Sequence, residues 1–159
     1  MIGDIALRLV ALLVVGVATW LVVAGVRAYA AARKRQTLAA APADDLLRDL
    51  PGGVSDAVSG EMSGVRVLAF SSEDCGPCHT LQRPALARLL DQRKGQVSVI
   101  EIDAPSSPEL TRRYAALTVP TTVILDASGK ARAVNYGFAP TTKLLAQVDE
   151  ALSMQALSA

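Results

Sequence analysis

The sequence has few of the residues that mark several large classes of protein. Only two of its 159 residues are cysteine, and they are too close together to brace a small disulfide-stapled fold. Aromatic residues make up 4% and the formal net charge is +1, so there is neither a row of stacking platforms nor a basic stripe for nucleic acid. These absences exclude a disulfide scaffold and predict no nucleic-acid partner.

A long uncharged run near the N-terminus is the first feature that is present. Residues 9–26 read LVALLVVGVATWLVVAGV, and as a helix they extend roughly 27 Å at about 1.5 Å per residue, enough to cross the core of a lipid bilayer. We therefore predict that residues 1–35 form a single-pass membrane anchor with a basic flank. A cleaved signal peptide is the alternative, because Ala28-Tyr29-Ala30 supplies a small-x-small site.

Basic residues lie mainly after this run. Arg27, Arg33, Lys34 and Arg35 follow it, whereas only Arg8 precedes it. Basic residues in short flanks tend to stay on the cytoplasmic side of a membrane. The bias favours an N-terminus outside and a following domain in the cytoplasm, with an extracytoplasmic domain as the alternative.

Residues 36–64 are predicted to be a linker with short N-terminal elements, because they are rich in Ala, Gly, Pro, Asp and Ser. Within them, residues 44–50 have the pattern of a short amphipathic helix that ends at Pro51.

From residue 65 to residue 159, strand patterns alternate with helix patterns. The predicted strands are 65–70, 97–102, 121–125 and 131–136, and the predicted helices are 78–94, 108–116 and 142–154. In the first helix, Pro84 should produce a kink and an apolar face is expected from Leu81, Leu86, Leu89 and Leu90. The order β-α-β-α-β-β-α predicts an α/β fold, a mixed sheet with helices on both faces.

The two cysteines, Cys75 and Cys78, frame Gly76 and Pro77 directly after the first predicted strand. Two thiols at this spacing in the first turn of a helix can close a small disulfide ring, and the helix N-terminus favours the thiolate of the first. The pair is therefore predicted to shuttle between dithiol and disulfide. The alternatives are an inert buried pair, a zinc site, or, together with His79, the C-x-x-C-H pattern of covalent haem attachment.

Over residues 65–152 the chain resembles the thioredoxin family. The resemblance rests on the strand that leads into Cys75-Gly76-Pro77-Cys78, on the early helix proline, and on Pro120, which lies 45 residues after Cys75 in a Val-Pro-Thr triplet. It implies a thioredoxin-like thiol-disulfide oxidoreductase, here membrane-anchored, that reduces protein disulfides without a cofactor or a metal. It also implies that Pro120 is cis and that the substrate peptide is bound by Val119, Pro120 and Thr121.

In the mechanism that the resemblance implies, Cys75 attacks a substrate disulfide as a thiolate and Cys78 then displaces the reduced substrate. The active-site loop comprises Glu73, Asp74, Gly76, Pro77 and His79. The electron donor would be a thioredoxin-reductase-like protein in the cytoplasm, or a membrane electron conduit outside it. The alternative function is a binding or assembly subunit of a membrane complex whose redox activity is secondary or lost.

Three positions depart from the family pattern. Asp74 stands where many thioredoxins have tryptophan, and its carboxylate should oppose ionisation of Cys75 and make the couple more reducing. Ala69 stands where thioredoxins keep a buried aspartate, so the Cys78 proton must pass to Glu73, Asp74, His79 or water. The helix proline, Pro84, comes one residue later than the family pattern implies.

Overall fold

The computed structural model of the chain describes residues 2–39 and 64–156. The chain forms two units, Met1–Arg35 and Gln36–Ala159. The short helix predicted at residues 44–50 lies outside the described residues.

The first unit is dominated by helix α1, Ile2–Leu38, which is longer than the apolar run alone because the basic flank continues the helix. Its stretch Leu12–Arg35, 24 residues, is long and apolar enough to cross a membrane, and none of it is buried. The prediction of one N-terminal apolar helix is confirmed. A secretory signal sequence can also supply an apolar helix near the N-terminus.

Within the described residues of the second unit, four strands form one sheet. They are β1 (Val65–Ser71), β2 (Val97–Asp103), β3 (Thr121–Leu125) and β4 (Ala131–Tyr136), in the order β2-β1-β3-β4. The β1 strand pairs with β2 in parallel and with β3 antiparallel, and β3 pairs with β4 antiparallel. The mixed sheet predicted from the element order is confirmed, and its Val- and Ile-rich central strands are buried on both faces.

The described residues of this unit contain a short π-helix (Cys78–Gln82) that runs directly into α2 (Arg83–Gln92), then α3 (Pro108–Arg113) and α4 (Thr141–Ala156). The prediction that α3 reaches residue 116 was wrong. The helix ends at Arg113, and Ala115 two residues later has a φ of 51°, a left-handed conformation that does not continue an α-helix.

Hydrophobic cores lie on both faces of the sheet, which confirms the predicted layers. One core joins the strands to α3 and includes Phe70 and Tyr114, whose ring centroids are 6.2 Å apart. The other joins the strands to α2 and α4 through buried residues such as Leu86, Leu89 and Leu144. Because α2 and α4 pack on the same face of the sheet, the redox helix, which is the π-helix together with α2, is held against the sheet.

The predicted apolar face of the first helix was wrong in two of its four leucines. Leu81 and Leu90 are 48% and 37% exposed, whereas Leu86 and Leu89 are buried. The inward position next to Leu81 is taken by Gln82, which is buried. A polar side chain therefore occupies a core position that hydrophobic periodicity assigns to an apolar one.

The late position of Pro84 corresponds to the π-helix. The Arg83 N–H bonds to the Cys78 C=O, five residues back instead of four. A π-turn accommodates one more residue than an α-turn, so Pro84 still falls in the first turn of α2, where its missing N–H costs little. The irregularity of the helix thus lies between Cys78 and Pro84.

A charged turn joins β3 to β4. Asp126 is buried and accepts hydrogen bonds from the Ser128 hydroxyl (2.6 Å), the Lys130 N–H (3.0 Å) and the Arg132 guanidinium (2.6 Å). Burial alone would raise the pKa of Asp126, but these bonds outweigh it and hold the pKa below its usual range. The carboxylate therefore stabilises the turn at neutral pH.

Candidate active site

Cys75 and Cys78 form a disulfide where β1 leads into the π-helix, with their Cα atoms 5.3 Å apart. Parallel pairing with β2 and antiparallel pairing with β3 fix β1 on both sides, so the loop that follows it starts from a rigid position. Both cysteines are buried in this oxidised form, at 7% and 4% exposure. Cys75 is therefore only slightly more exposed than Cys78 while the two sulfurs are bonded.

Backbone N–H groups of the helix start contact the sulfur and the carbonyl oxygen of Cys75. The Cys78 N–H lies 3.2 Å from Cys75 Sγ. The Cys75 C=O accepts from the Cys78 N–H at 3.0 Å and from the His79 N–H at 3.3 Å. An N–H aimed at the first sulfur from the start of a helix favours a negative charge there, so the geometry suits Cys75 as the thiolate.

The predicted loop residues Glu73, Asp74, Gly76, Pro77 and His79 are all exposed and flank the disulfide. A ring nitrogen of His79, Nε2, lies 3.0 Å from the Glu73 carbonyl oxygen. Because a carbonyl accepts, this nitrogen carries the proton and donates. The contact ties the two ends of the loop together across the cysteine pair.

The Val119–Pro120 peptide bond is cis, and Pro120 is buried beside Cys78 in the wall of a shared cavity. The Gly137 N–H donates to the Pro120 C=O at 2.8 Å, which fixes the loop after β4 next to this turn. Val119 is half-buried. Thr121 is fully buried and its hydroxyl donates to the Thr118 C=O at 2.6 Å, so its side chain supports the turn.

A small cavity of about 20 Å³ lies behind the disulfide. It is lined by Ala69, Phe70, Ser71, Cys78, His79, Gln82, Arg83, Leu86, Glu101 and Pro120. A cavity needs about 10–15 Å³ to hold a water, so there is room for one. Ala69, the position where the family resemblance implies a buried aspartate, contributes only a methyl group to this wall.

Sequence reasoning missed Gln82, Arg83 and Glu101, polar residues whose side chains make the hydrogen bonds around this cavity. The Gln82 amide accepts from the Ala139 N–H at 2.9 Å and donates to the Ala139 C=O at 3.3 Å. Arg83 donates to the Glu101 carboxylate through Nε (3.3 Å) and Nη2 (3.0 Å). Glu101 had a usable signal, because aligning the starts of the two parallel strands pairs it with Ala69. Gln82 had none, since only the π-turn carries it inward.

Comparison with known proteins agrees with this geometry. The family model described as Thioredoxin matches residues 56–150. A thioredoxin of Staphylococcus aureus is 27% identical over 90 residues, which are 57% of this chain and 85% of that protein.

Two solved structures are similar in fold. Chloroplastic thioredoxin z is 25% identical with a TM-score of 0.52, over 71% of this chain and 92% of that one. The germline-specific thioredoxin Deadhead of Drosophila melanogaster is 26% identical with a TM-score of 0.53, over 60% of this chain and 88% of that one. With a close cysteine pair on this fold, the chain belongs to the thioredoxin family and is a thiol-disulfide oxidoreductase.

Proposed function

We propose that this protein is a membrane-tethered reductase of protein disulfides. Residues 1–35 would anchor it, residues 36–64 would act as a linker, and the domain from residue 65 to residue 159 would carry the chemistry. The observation that carries the proposal is the contact of the Cys78 N–H with Cys75 Sγ at 3.2 Å. It favours a thiolate on the cysteine that the resemblance makes the nucleophile.

The reduced pair works in two steps. The Cys75 thiolate attacks one sulfur of a substrate disulfide, forms a mixed disulfide, and releases the other substrate sulfur as a thiolate. Cys78 then loses its proton and attacks Cys75 Sγ, which restores the observed disulfide and releases the second substrate sulfur. Two electrons pass to the substrate in each cycle.

The surroundings of the pair suit an extended peptide. Within residues 64–156, no backbone hydrogen bond involves the N–H or the C=O of Val119, so both groups can pair with a peptide laid along this edge. Leu117 and Phe138, on either side of the Pro120 turn in the chain, are exposed. Apolar side chains of a substrate can be buried against them.

Reduction is the favoured direction because Asp74 is exposed directly before Cys75. A carboxylate at this position opposes a thiolate and so favours the disulfide form of the pair, which makes the couple more reducing. The donor of electrons would be a thioredoxin-reductase-like protein if the domain is cytoplasmic, as the basic flank favours, or a membrane electron conduit if it is not.

Turnover separates this function from an assembly subunit that shares the fold. The purified full chain in detergent, supplied with dithiothreitol, should reduce insulin, and Cys75→Ser should abolish the rate. A Ser55→Ala variant, outside the family's cysteine motif, serves as the control for activity that is lost during preparation of a variant. Absence of any rate in the wild-type chain above that of dithiothreitol alone would refute the reductase and favour the assembly subunit.

Membrane attachment needs its own experiment. After alkaline carbonate extraction of cells, the chain should remain in the membrane fraction with the mass of the full sequence. A soluble chain shortened after Ala30 would show that the N-terminal helix is a cleaved signal peptide. Labelling of the reduced cysteines in intact cells with an impermeant thiol reagent then shows on which side the domain lies.

A further inference from the structure

We propose that Glu101, paired with Arg83 beside the cavity, accepts the proton of the Cys78 thiol through one water molecule. This inference rests on the proposed function, because it concerns the second step of the cycle. The proposal assigns proton acceptance to a residue of β2, because the methyl side chain of Ala69 cannot accept a proton.

The strand register places Glu101 for this task. Ala69 of β1 and Glu101 of β2 are partners in the parallel ladder, and paired residues on neighbouring strands project from the same face of a sheet. The carboxylate therefore stands on the face that carries Ala69 and the redox helix. Both residues line the cavity with Cys78.

The cavity connects the buried sulfur to solvent. Cys78 and Ala69 are buried, whereas the side chains of Arg83 and Glu101 are 56% and 51% exposed. The cavity of about 20 Å³ has room for one water. Because Cys78 and Glu101 both line this cavity, a water in it could bridge the thiol and the carboxylate, which is the arrangement that a relay needs.

The other groups around the cavity are less suited to accept the proton. Its charged or titratable side chains are Glu101 from β2, Arg83 from α2, and His79 and Cys78 from the π-helix, and the residues from β1 and Pro120 add none. Arginine has no acceptor. The His79 ring donates through Nε2 to the Glu73 carbonyl, so only its Nδ1 can accept a proton, whereas the Glu101 carboxylate has two acceptor oxygens. Glu101 keeps free lone pairs although Arg83 binds both of its oxygens, since a carboxylate has about four.

The step balances without a further reactant. The Cys78 S–H proton passes to the water, and a proton of the water passes to the Glu101 carboxylate. The Cys78 thiolate attacks Cys75 Sγ, the bond between Cys75 and the substrate sulfur breaks, and the substrate leaves as a thiolate. Glu101 then returns the proton to solvent, to which it is exposed.

The two steps can be timed separately with Ellman's reagent. One equivalent is added to the reduced full chain in detergent. The first coloured thiolate is released when Cys75 attacks, and the second when Cys78 displaces the mixed disulfide. Glu101→Gln preserves the shape of the side chain and removes the base. It should leave the first phase unchanged and slow the second at neutral pH by about tenfold or more, since positioned acid-base groups contribute about 10²–10⁴.

The pH profile distinguishes proton transfer from a structural effect. The difference between Glu101→Gln and wild type should shrink as pH rises, because hydroxide then removes the thiol proton. Ala69→Asp added to Glu101→Gln should restore the second phase by returning a carboxylate to the cavity wall. Glu109→Gln makes the same change at an exposed carboxylate of α3 and should leave both phases unchanged.

The outcomes are separable. An unchanged second phase in Glu101→Gln would overturn the relay but not the proposed reductase function. Slowing of that phase by the same factor at every pH would do the same. If the second phase is slowed in His79→Gln and this slowing shrinks at high pH, while Glu101→Gln shows no such effect, the imidazole and not Glu101 accepts the proton. A wild-type chain that releases no second thiolate would overturn the proposed function as well.

Discussion

Replacing Gln82 with leucine should destabilise the domain, although the change puts an apolar side chain in a core position. Gln82 is buried and makes two hydrogen bonds to the backbone of Ala139, which is itself fully buried. Leucine leaves the N–H and the C=O of Ala139 without these partners. Each unsatisfied buried group costs about 1–3 kcal/mol, and the added apolar burial offsets part of this, so we expect a net loss of about 2–4 kcal/mol.

Urea titration of the full chain in detergent, followed by the near-ultraviolet circular dichroism of its tyrosines, measures this free energy of unfolding. Gln92→Leu is the matched control, because Gln92 is exposed at the end of α2, into which the π-helix of Gln82 continues, and surface changes stay within about 0.5 kcal/mol. If Gln82→Leu is as stable as the control, the bonds to Ala139 do not hold the redox helix to the loop after β4, and the reasoning fails.

Three further predictions concern acidic residues. Asp126→Asn should lower the unfolding free energy at neutral pH by about 1–3 kcal/mol. Because the folded-state pKa of Asp126 lies below its unfolded value of about 4, its contribution is present above that value and is lost as pH falls through the folded pKa, so variant and wild type should converge in acid urea titrations. Asp74→Asn should lower the pKa of the Cys75 thiol in a thiolate absorbance titration, and an unchanged or raised value would reject the effect. Asp149→Asn breaks an exposed pair with Arg93 and should lower the thermal midpoint only at low salt; a loss that persists at high salt would contradict screening.

Much of the fold followed from local patterns. Strands β3 and β4 have the predicted bounds, because the turn that begins at Asp126 separates two runs with strand-like composition. The cysteine spacing and its place after β1 predicted the redox pair for the same reason, since both are properties of adjacent residues. Structural features that depend on one short segment could therefore be predicted from the sequence of that segment.

The errors arose where distant segments or an unusual backbone decide the outcome. Periodicity assumes an α-helix, and the π-turn after Cys78 moved Gln82 inward and left Leu81 exposed. The cavity brings together β1, β2 and the redox helix, so its lining needed the strand register. Ala69 was noticed from the resemblance, but Glu101 beside it becomes apparent only once the two strands are paired.

Trapping the mixed disulfide tests the central claim most directly. Reduced Cys78→Ser and Cys75→Ser chains are each incubated with a peptide that contains one disulfide, and the products are mapped by mass spectrometry. The account predicts that Cys78→Ser holds the peptide on Cys75 and that Cys75→Ser holds none. Peptide attached to Cys78 in the Cys75→Ser chain, with none on Cys75 in the other, would contradict it.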